Sequence, residues 1–330
     1  MSEAVDPGPL PTIESIGGTV DFPVMSDGVR IRIARFPAGA DSPAGTVLML
    51  PGFTEFVEKA LESIGELMAR GYGVITLDWR GQGLSDRLAA NRRMGHIADM
   101  GHFLNDLEEV LRLVRFRDLP GPRILYGHSM GGHLALRAAH DHPDLFERVI
   151  LSAPMAGIET GIWPRYIAHG LAKAAVGLGF GAYYVPGTGP YSDKYRGFEG
   201  NPLTSDPVRF ARIHAQIDAN PDVALGGPSY QWFYSALRSL KLVNRRSYLS
   251  KISIPVLLLS AEHEWIVSNA AQRTVAAMLP DCRLVSCAGA RHELLLERDE
   301  VRRAVWAEID AFLGSGGSGS PCPLPQSPDA

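Results

Sequence analysis

The chain has 330 residues, of which 45% are hydrophobic and 21% charged, ordinary values for a globular protein. Its formal net charge of -4 gives no basic footprint for nucleic acid, so we expect a small or weakly charged substrate. The three cysteines, Cys282, Cys287 and Cys322, lack metal-ligand spacing and predict no disulfide framework, which favours a cytoplasmic location.

Both ends of the chain have compositions that disfavour a packed core. Residues 1–15 and 314–330 are rich in Gly, Ser, Pro or acidic residues and are predicted to be disordered. The first residues lack the basic and apolar regions of a signal peptide. No apolar run reaches the roughly 18 residues that a spanning helix needs. We therefore expect an intracellular protein that is not integral to a membrane.

Strand-like and helix-like segments alternate between these ends. Val29–Phe36 alternates apolar and charged residues, as a half-buried antiparallel strand does. Short apolar runs predict buried parallel strands at Thr46–Leu50, Val74–Leu77, Arg123–Tyr126, Val149–Ser152 and Val256–Ser260. Helical patterns fall at Val57–Arg70, Gly101–Val114, Gly132–His140, Ala270–Leu279 and Val301–Leu313. This order predicts an α/β fold with a mostly parallel central sheet and helices on both faces.

The alternation stops after Pro154, and the strand pattern resumes at Pro255. Residues 155–242 are rich in glycine, aromatic residues and helix-like segments, without a clear buried strand. We expect them to form an inserted helical lid over the active site. The core would then consist of residues 16–154 and 243–313.

The sequence GHSMGG at 127–132 matches the G-x-S-x-G pattern of a nucleophile elbow. Such an elbow needs a strand before the serine and a helix after it, and Arg123–Tyr126 and Gly132–His140 supply them. The sharp turn lifts the hydroxyl clear of the sheet, and side chains at the glycines would collide with the neighbouring strand and helix. A chance match is the alternative for the motif alone, but in this context Ser129 is predicted to be a nucleophile.

A serine at such an elbow is followed along the chain by an acid and then a histidine. His292 lies in a loop between the strand-like Arg283–Ser286 and the final helix, from which it can reach the sheet's C-terminal edge. His140, His142 and His169 lie on the elbow helix, at its end or in the lid, and His128 lies inside the elbow, where it is expected to pack beside the nucleophile. We therefore predict that His292 is the general base, with a solvated loop histidine as the alternative.

The acid is left open by the residues themselves. After Val256–Ser260 comes AEHEWIV at 261–267, in which Glu262 and Glu264 could each orient the imidazole and stabilise its charged form. Asp78 precedes the serine and is predicted to hold the turn at Arg80 instead.

Acyl transfer also needs two donors aimed at the tetrahedral oxyanion, usually backbone N–H groups. The first is predicted to be the amide of Met130, directly after the nucleophile. The second should come from PGFTE at 51–55, which follows the strand Thr46–Leu50. Gly52 permits a close turn there, and Phe53 is the expected donor. An ordinary strand-to-helix loop is the alternative.

These segments resemble the monoacylglycerol lipase and bacterial lysophospholipase branch of the α/β-hydrolases. The resemblance spans roughly residues 20 to 313. The matching core segments are PGFTE at 51–55, DWRGQGLS at 78–85, GHSMGG at 127–132, LLLSAEHEWIV at 257–267 and HELLLE at 292–297. Two lid segments, NPLTSD at 201–206 and GGPSYQW at 226–232, look closer to the lysophospholipases.

The resemblance assigns the acid to Glu264, because in this branch the acid lies two residues before an Ile/Val–Val pair, here Ile266-Val267. Two departures stand out. Many relatives begin the oxyanion loop with His-Gly where this chain has Pro51-Gly52, a change that a backbone donor should tolerate. The acid is also more often Asp, which is one methylene shorter than Glu.

The resemblance implies the α/β-hydrolase fold and hydrolysis of a carboxylic ester through an acyl-enzyme, with no cofactor or metal. The expected substrate is a lysophospholipid or monoacylglycerol. Residues 162–185 are apolar and aromatic, which predicts an acyl tunnel and transient contact with the inner face of a membrane, or simple packing of the lid onto the core.

The alternative functions differ in how well the residues support them. A carboxylesterase for small esters would use the same catalytic residues. An aminopeptidase of the same fold would need carboxylates near the pocket, for which Glu159 and Asp193 are candidates. A non-catalytic binding protein is disfavoured by the intact serine, histidine and acid positions. A dehalogenase or epoxide hydrolase is disfavoured too, because each normally has Asp in place of Ser129.

Overall fold

The computed structural model describes residues 5–39, 43–161 and 165–314. Within them, strands β1–β8 are Thr19–Asp21, Arg32–Phe36, Gly45–Leu50, Tyr72–Asp78, Arg123–His128, Arg148–Ser152, Val256–Ala261 and Cys282–Cys287. Helices α1–α9 are Leu61–Ala69, Gly101–Leu113, Met130–Asp141, Arg165–Gly177, Pro207–Ala219, Tyr230–Val243, Arg246–Leu249, Asn269–Ala276 and Asp299–Gly314. None of these described helices combines the length and apolar character that crossing a membrane requires.

The strands form one sheet in the order β1-β2-β4-β3-β5-β6-β7-β8. Neighbours from β4 through β8 are parallel, whereas β1 and β2 pair in the antiparallel sense at one edge. The predicted α/β fold with a mostly parallel sheet is confirmed. Because its central strands run parallel, the loops at their carboxyl ends meet at one edge of the sheet, where catalytic side chains can converge.

Helices cover both faces of the sheet, and alternate residues of β3 contact one face or the other. Leu48 and Leu50 pack against the face that carries α2 and α3, while Val47 and Met49 pack against the face that carries α1 and α9. All six residues of β3 are buried. A strand that is buried on both faces therefore reads as a nearly continuous apolar run, here Val47–Leu50, rather than as apolar at every second position.

Residues 155–242, which were predicted to form an insertion, lie between β6 and β7, and the chain from β6 to β7 forms α4–α7 without adding a strand to the sheet among the described residues. Helix α4 packs against α6. Residues 201–206 lie along the loop that follows β8: Leu203 O accepts a 2.8 Å hydrogen bond from Glu293 N, and Thr204 Oγ1 donates to Leu296 O at 2.6 Å. One part of the insertion is thus hydrogen-bonded to the core.

Of the predicted disordered ends, residues 1–4 and 315–330 lie outside the described residues, whereas residues 5–15 and 314 are described. Glu14–Ile16 forms a short 3-10 helix, and the neighbouring Ile13 is buried. Part of the apolar lid stretch, residues 162–164, also lies outside the described residues.

Candidate active site

Ser129 occupies the turn between β5 and α3, as the elbow motif predicts. Its backbone has φ 51° and ψ -116°, a region that non-glycine residues rarely adopt and that functional sites often contain. A Cβ on Gly131 would overlap the carbonyl oxygen of Leu50, and one on Gly127 would lie 2.5 Å from the carbonyl oxygen of Gly131. Glycine at both positions therefore lets the turn close tightly against the sheet.

His292 and Glu264 are hydrogen-bonded to each other. The Nδ1 atom of His292 lies 2.7 Å from Oε2 of Glu264, and the two side chains are only 4% and 0% exposed. The other carboxylate oxygen accepts from Ile266 N at 2.8 Å and Val267 N at 3.2 Å. Burial raises the pKa of Glu264, but the His292 bond and the two amides outweigh it and hold the pKa below its usual range.

Glu262, the alternative acid, points elsewhere. Its side chain is about half exposed, and its Oε2 accepts a 2.7 Å hydrogen bond from Gly289 N in the loop after β8. Among the described residues, the carboxylate bonded to His292 is that of Glu264.

His292 lies beside the residue that precedes Ser129 at the end of β5. The His292 ring lies 4.9 Å, centroid to centroid, from the ring of His128, the residue before Ser129. Among the described side chains, no hydrogen bond joins Ser129 Oγ to His292. Catalytic hydrogen bonds are often long without substrate and tighten in the Michaelis complex, so the pairing of Ser129 with His292 stays a prediction.

Phe53 and Met130 present amides that make no hydrogen bond to any described residue. Met130 is the first residue of α3, so its N–H has no partner within the helix. Phe53 lies in the loop after β3 and, like Met130 and Ser129, lines one shared cavity. Two free donors beside the serine are the arrangement that an oxyanion hole requires.

This cavity has a volume of about 480 Å³ and is mainly apolar. Ser129 and Met130 form part of its wall, with Ile266 and Val267 from the acid loop. Residues between β6 and β7 supply much of the remainder: Ile158, Ala168, Leu171, Ala172, Val185, Pro186, Pro228, Trp232 and Phe233. Glu159 is the one charged side chain among the described lining residues, and no basic group joins it.

A family model described as "Serine aminopeptidase, S33" matches residues 41–299 of this chain. That match covers well over half of the sequence. The chain belongs to this family.

Two curated relatives of this S33-family chain are bacterial. The "Probable lysophospholipase L2" of Haemophilus influenzae is 30% identical over 268 residues, which cover 81% of this chain and 83% of that protein. The "Lysophospholipase L2" of Escherichia coli is 30% identical over 298 residues, with 87% and 85% covered.

Among solved structures, a soluble variant of monoglyceride lipase from Saccharomyces cerevisiae in complex with a substrate analogue is similar in fold. The TM-score is 0.71 at 20% identity, over 92% of this chain and 98% of that one. The predicted resemblance to lysophospholipases and monoacylglycerol lipases is confirmed, as is the α/β-hydrolase fold.

In this S33-family chain, the loop after β3 that carries Phe53 is held by two residues whose role the sequence analysis did not single out. Gln82 bonds the oxyanion loop twice: its Nε2 donates to Gly52 O at 3.0 Å, and its Oε1 accepts from Thr54 N at 3.2 Å. Trp79 Nε1 donates to Pro51 O at 2.9 Å. Both belong to the DWRGQGLS segment, so their motif was visible in the sequence but their role was not.

Three side chains could together offer ligands to a metal ion: Glu55, His128 and Glu293, whose ligand atoms lie within 4.8 Å of one another. However, Lys59 Nζ already bonds both carboxylates, at 2.8 Å and 2.5 Å. A lysine ammonium thus neutralises the charge that would attract a cation, so these residues do not fit a metal site.

Proposed function

We propose that the chain is a serine ester hydrolase that cleaves long-chain acyl esters, with monoacylglycerol and lysophospholipid as its substrate class. The observation that carries this proposal is Ser129 on the wall of an apolar cavity of about 480 Å³ that two amides also line, neither of them hydrogen-bonded to a described residue. Cavities of this size and character suit an apolar ligand held by few polar groups.

In the proposed mechanism, Ser129 Oγ attacks the ester carbonyl carbon while His292 takes the hydroxyl proton. Glu264 holds the imidazole by its Nδ1 atom and stabilises the imidazolium. The amides of Phe53 and Met130 bind the oxyanion. As the tetrahedral intermediate collapses, the proton on His292 passes to the departing alcohol, which leaves an acyl-enzyme.

Water then completes the proposed cycle. His292 removes a proton from a water molecule that attacks the acyl carbonyl, and the second oxyanion collapses with return of the proton to Ser129 Oγ. The products are a fatty acid and a regenerated serine. His292 accepts and returns every proton that moves in these steps, so the proposed reaction needs no cofactor.

The substrate class is inferred from the cavity wall and from the relatives. An acyl chain would contact the apolar side chains of α4 and α6, whereas a charged group would meet only Glu159. A phosphate-bearing headgroup would therefore stay near solvent rather than inside. The matched relatives named as lysophospholipases support the same class.

Residues 155–242 are proposed to act as a lid that also touches the membrane surface. Exposed apolar residues of α4 and the turn after it are Tyr166, Leu171, Leu178, Phe180 and Tyr183. Leu171 is 55% exposed yet also lines the cavity, so this surface adjoins the cavity wall. Exposed apolar side chains grouped along one helix and the turn after it favour contact with lipid. The cytoplasmic location stays a prediction.

An aminopeptidase is the second candidate, because Glu159 gives the cavity a carboxylate that could bind an α-amine. Asp193, the other residue suggested for this role, is not among the lining residues of the cavity. Without a second acid, the same wall suits a neutral ester better.

The test is hydrolysis of lysophospholipid, monoacylglycerol, a short aryl ester and a peptide arylamide by the purified protein. Ser129→Ala and the exposed matched control Ser250→Ala are assayed in parallel. We expect release of long-chain fatty acid that disappears only in Ser129→Ala. Turnover of the arylamide alone would replace the proposal with the aminopeptidase, and turnover of short esters alone would refute the long-chain substrate class.

A further inference from the structure

Four buried side chains form an ionic cluster behind Ser129, which we call the Lys59 junction: Glu55, Lys59, His128 and Glu293. Lys59 Nζ lies 2.8 Å from Glu55 Oε1 and 2.5 Å from Glu293 Oε1. Glu293 Oε2 in turn lies 3.4 Å from His128 Nε2. The exposure of these side chains is between 7% and 12%, so the cluster is largely shielded from water.

Each outer member of the junction adjoins a segment that carries a proposed catalytic group. Glu55 Oε2 accepts a hydrogen bond from Gly52 N, and Gly52 precedes the oxyanion donor Phe53. His128 precedes Ser129, and Glu293 follows His292. The oxyanion loop, the elbow and the histidine loop come from separate parts of the chain. Lys59 forms ion pairs with the first and the last of them, through Glu55 and Glu293.

The electrostatics make the lysine necessary to the arrangement. Burial raises the pKa of Glu293, but the nearby Lys59 and His128 outweigh it and hold the pKa well below its ordinary value. Without Lys59, two buried carboxylates would face each other with ligand atoms less than 4.8 Å apart. One of them would take up a proton or turn away, because like charges in a low dielectric disfavour ionisation of both.

Lys59 itself is held in place by the surrounding backbone. It lies in the 3-10 helix Val57–Ala60, whose first amide donates to Asp78 Oδ1 at 2.9 Å. Asp78 is fully buried at the end of β4 and also accepts from Leu84 N at 2.8 Å. These hydrogen bonds fix the backbone that carries Lys59. Through its ion pairs with Glu55 and Glu293, Lys59 can then fix the positions of the loops to which these two carboxylates belong.

We infer that Lys59 is a positioning residue, which aligns the Phe53 amide with His292 through Glu55 and Glu293; the inference rests on the function proposed above. Lys59 is not among the described residues that line the cavity, so it would act on the reaction through its two carboxylate partners. A shift of about 1 Å between catalytic groups can cost on the order of 100-fold in rate. Loss of Lys59 should therefore lower kcat while leaving substrate binding in the cavity unchanged.

The test compares Lys59→Met, Lys59→Arg and the exposed control Lys251→Met on a short soluble aryl ester. Active sites are counted by complete labelling with a fluorophosphonate, so misfolded protein does not contribute to kcat. We expect kcat per labelled site to fall about 10- to 100-fold in Lys59→Met, with KM within about twofold. Arginine, which can also bond two carboxylates, should recover most of the rate, and Lys251→Met should match the wild type.

A second variant covers the case in which Lys59→Met does not fold. Lys59→Met combined with Glu293→Gln removes one charge of each sign, so the unpaired carboxylate is gone. Slow turnover by this folded double variant supports the inference, and wild-type kcat per site in either variant overturns it. Failure of the proposed function would look different, because the wild type itself would then show no Ser129-dependent ester turnover.

Discussion

The Nδ1 atom of His292 lies 2.7 Å from Oε2 of Glu264, in a pair from which water is almost entirely excluded. The two residues come from different loops, one after β8 and one after β7. Glu264 also accepts hydrogen bonds from two backbone amides, so the orientation of its carboxylate does not depend on His292 alone. A fixed acid sets both the ring orientation and the tautomer of His292.

Replacing Glu264 by Gln should separate it from the alternative acid. The amide fills nearly the same volume but cannot stabilise the imidazolium, so kcat should fall by on the order of 1,000- to 10,000-fold. Glu262→Gln, two residues away, serves as the matched control and should keep near wild-type turnover of an aryl ester. The assignment is refuted if the Glu262 variant loses the activity and the Glu264 variant retains it.

Acid should destabilise the folded protein in part through Glu264. The pKa of this carboxyl is lowered in the folded state, so its contribution to stability is present above the unfolded-state pKa, near 4.5. The contribution is lost as pH falls from there through the folded-state pKa. Urea unfolding at several pH values below about 5 should show that the free energy of unfolding falls less steeply with decreasing pH in Glu264→Gln than in the wild type. An identical slope in both proteins would contradict this linkage.

Glu159 should set a preference against anionic substrates. Its carboxylate is the charged group of the described cavity wall and would repel an anionic headgroup, although solvent screens an exposed charge. Relative to monoacylglycerol of equal chain length, kcat/KM for a lysophosphatidylglycerol should rise about two- to fivefold in Glu159→Gln. Glu199→Gln, an exposed change away from the cavity, should leave the ratio alone. No change in the ratio for Glu159→Gln would show that its charge plays no part in selection.

The exposed apolar surface of the proposed lid should contribute to binding of lipid vesicles. Leu178 is 74% exposed and does not line the cavity, so Leu178→Ser changes the surface without changing the substrate pocket. Binding to phosphatidylcholine vesicles should weaken roughly tenfold, the effect of withholding one leucine from an apolar phase. Leu113→Ser on α2 should not alter binding, and both variants should keep turnover of a soluble ester. Unchanged vesicle binding by Leu178→Ser would remove this residue from the membrane contact.

The sequence predicts the central sheet well because its signals are local. The apolar run Thr46–Leu50 and the elbow GHSMGG at 127–132 each contain the residues that determine their structure, and β3 and the turn at Ser129 follow. The three-residue strand Thr19–Asp21 was not predicted. It is too short and too exposed to show an alternating pattern, and only its pairing with β2 defines it.

The parts of the site that were not predicted depend on contacts between distant residues. Lys59 and Glu293 are 234 positions apart, and no spacing rule pairs a lysine after an oxyanion loop with a glutamate beside a histidine. The wall of the cavity likewise requires α4 and α6 to pack together. Motifs therefore indicated the residues proposed for the chemistry, whereas the residues that position them and enclose the substrate required the fold.

Covalent labelling tests the central claim, that Ser129 is the nucleophile, most directly. The purified protein is treated with a long-chain fluorophosphonate, and the modified peptide is located by mass spectrometry while residual ester turnover is followed. We predict one adduct per chain on Ser129, formed in step with loss of activity, and no adduct in Ser129→Ala. Inactivation with the adduct on another residue, or full turnover by a protein labelled at Ser129, would contradict the account.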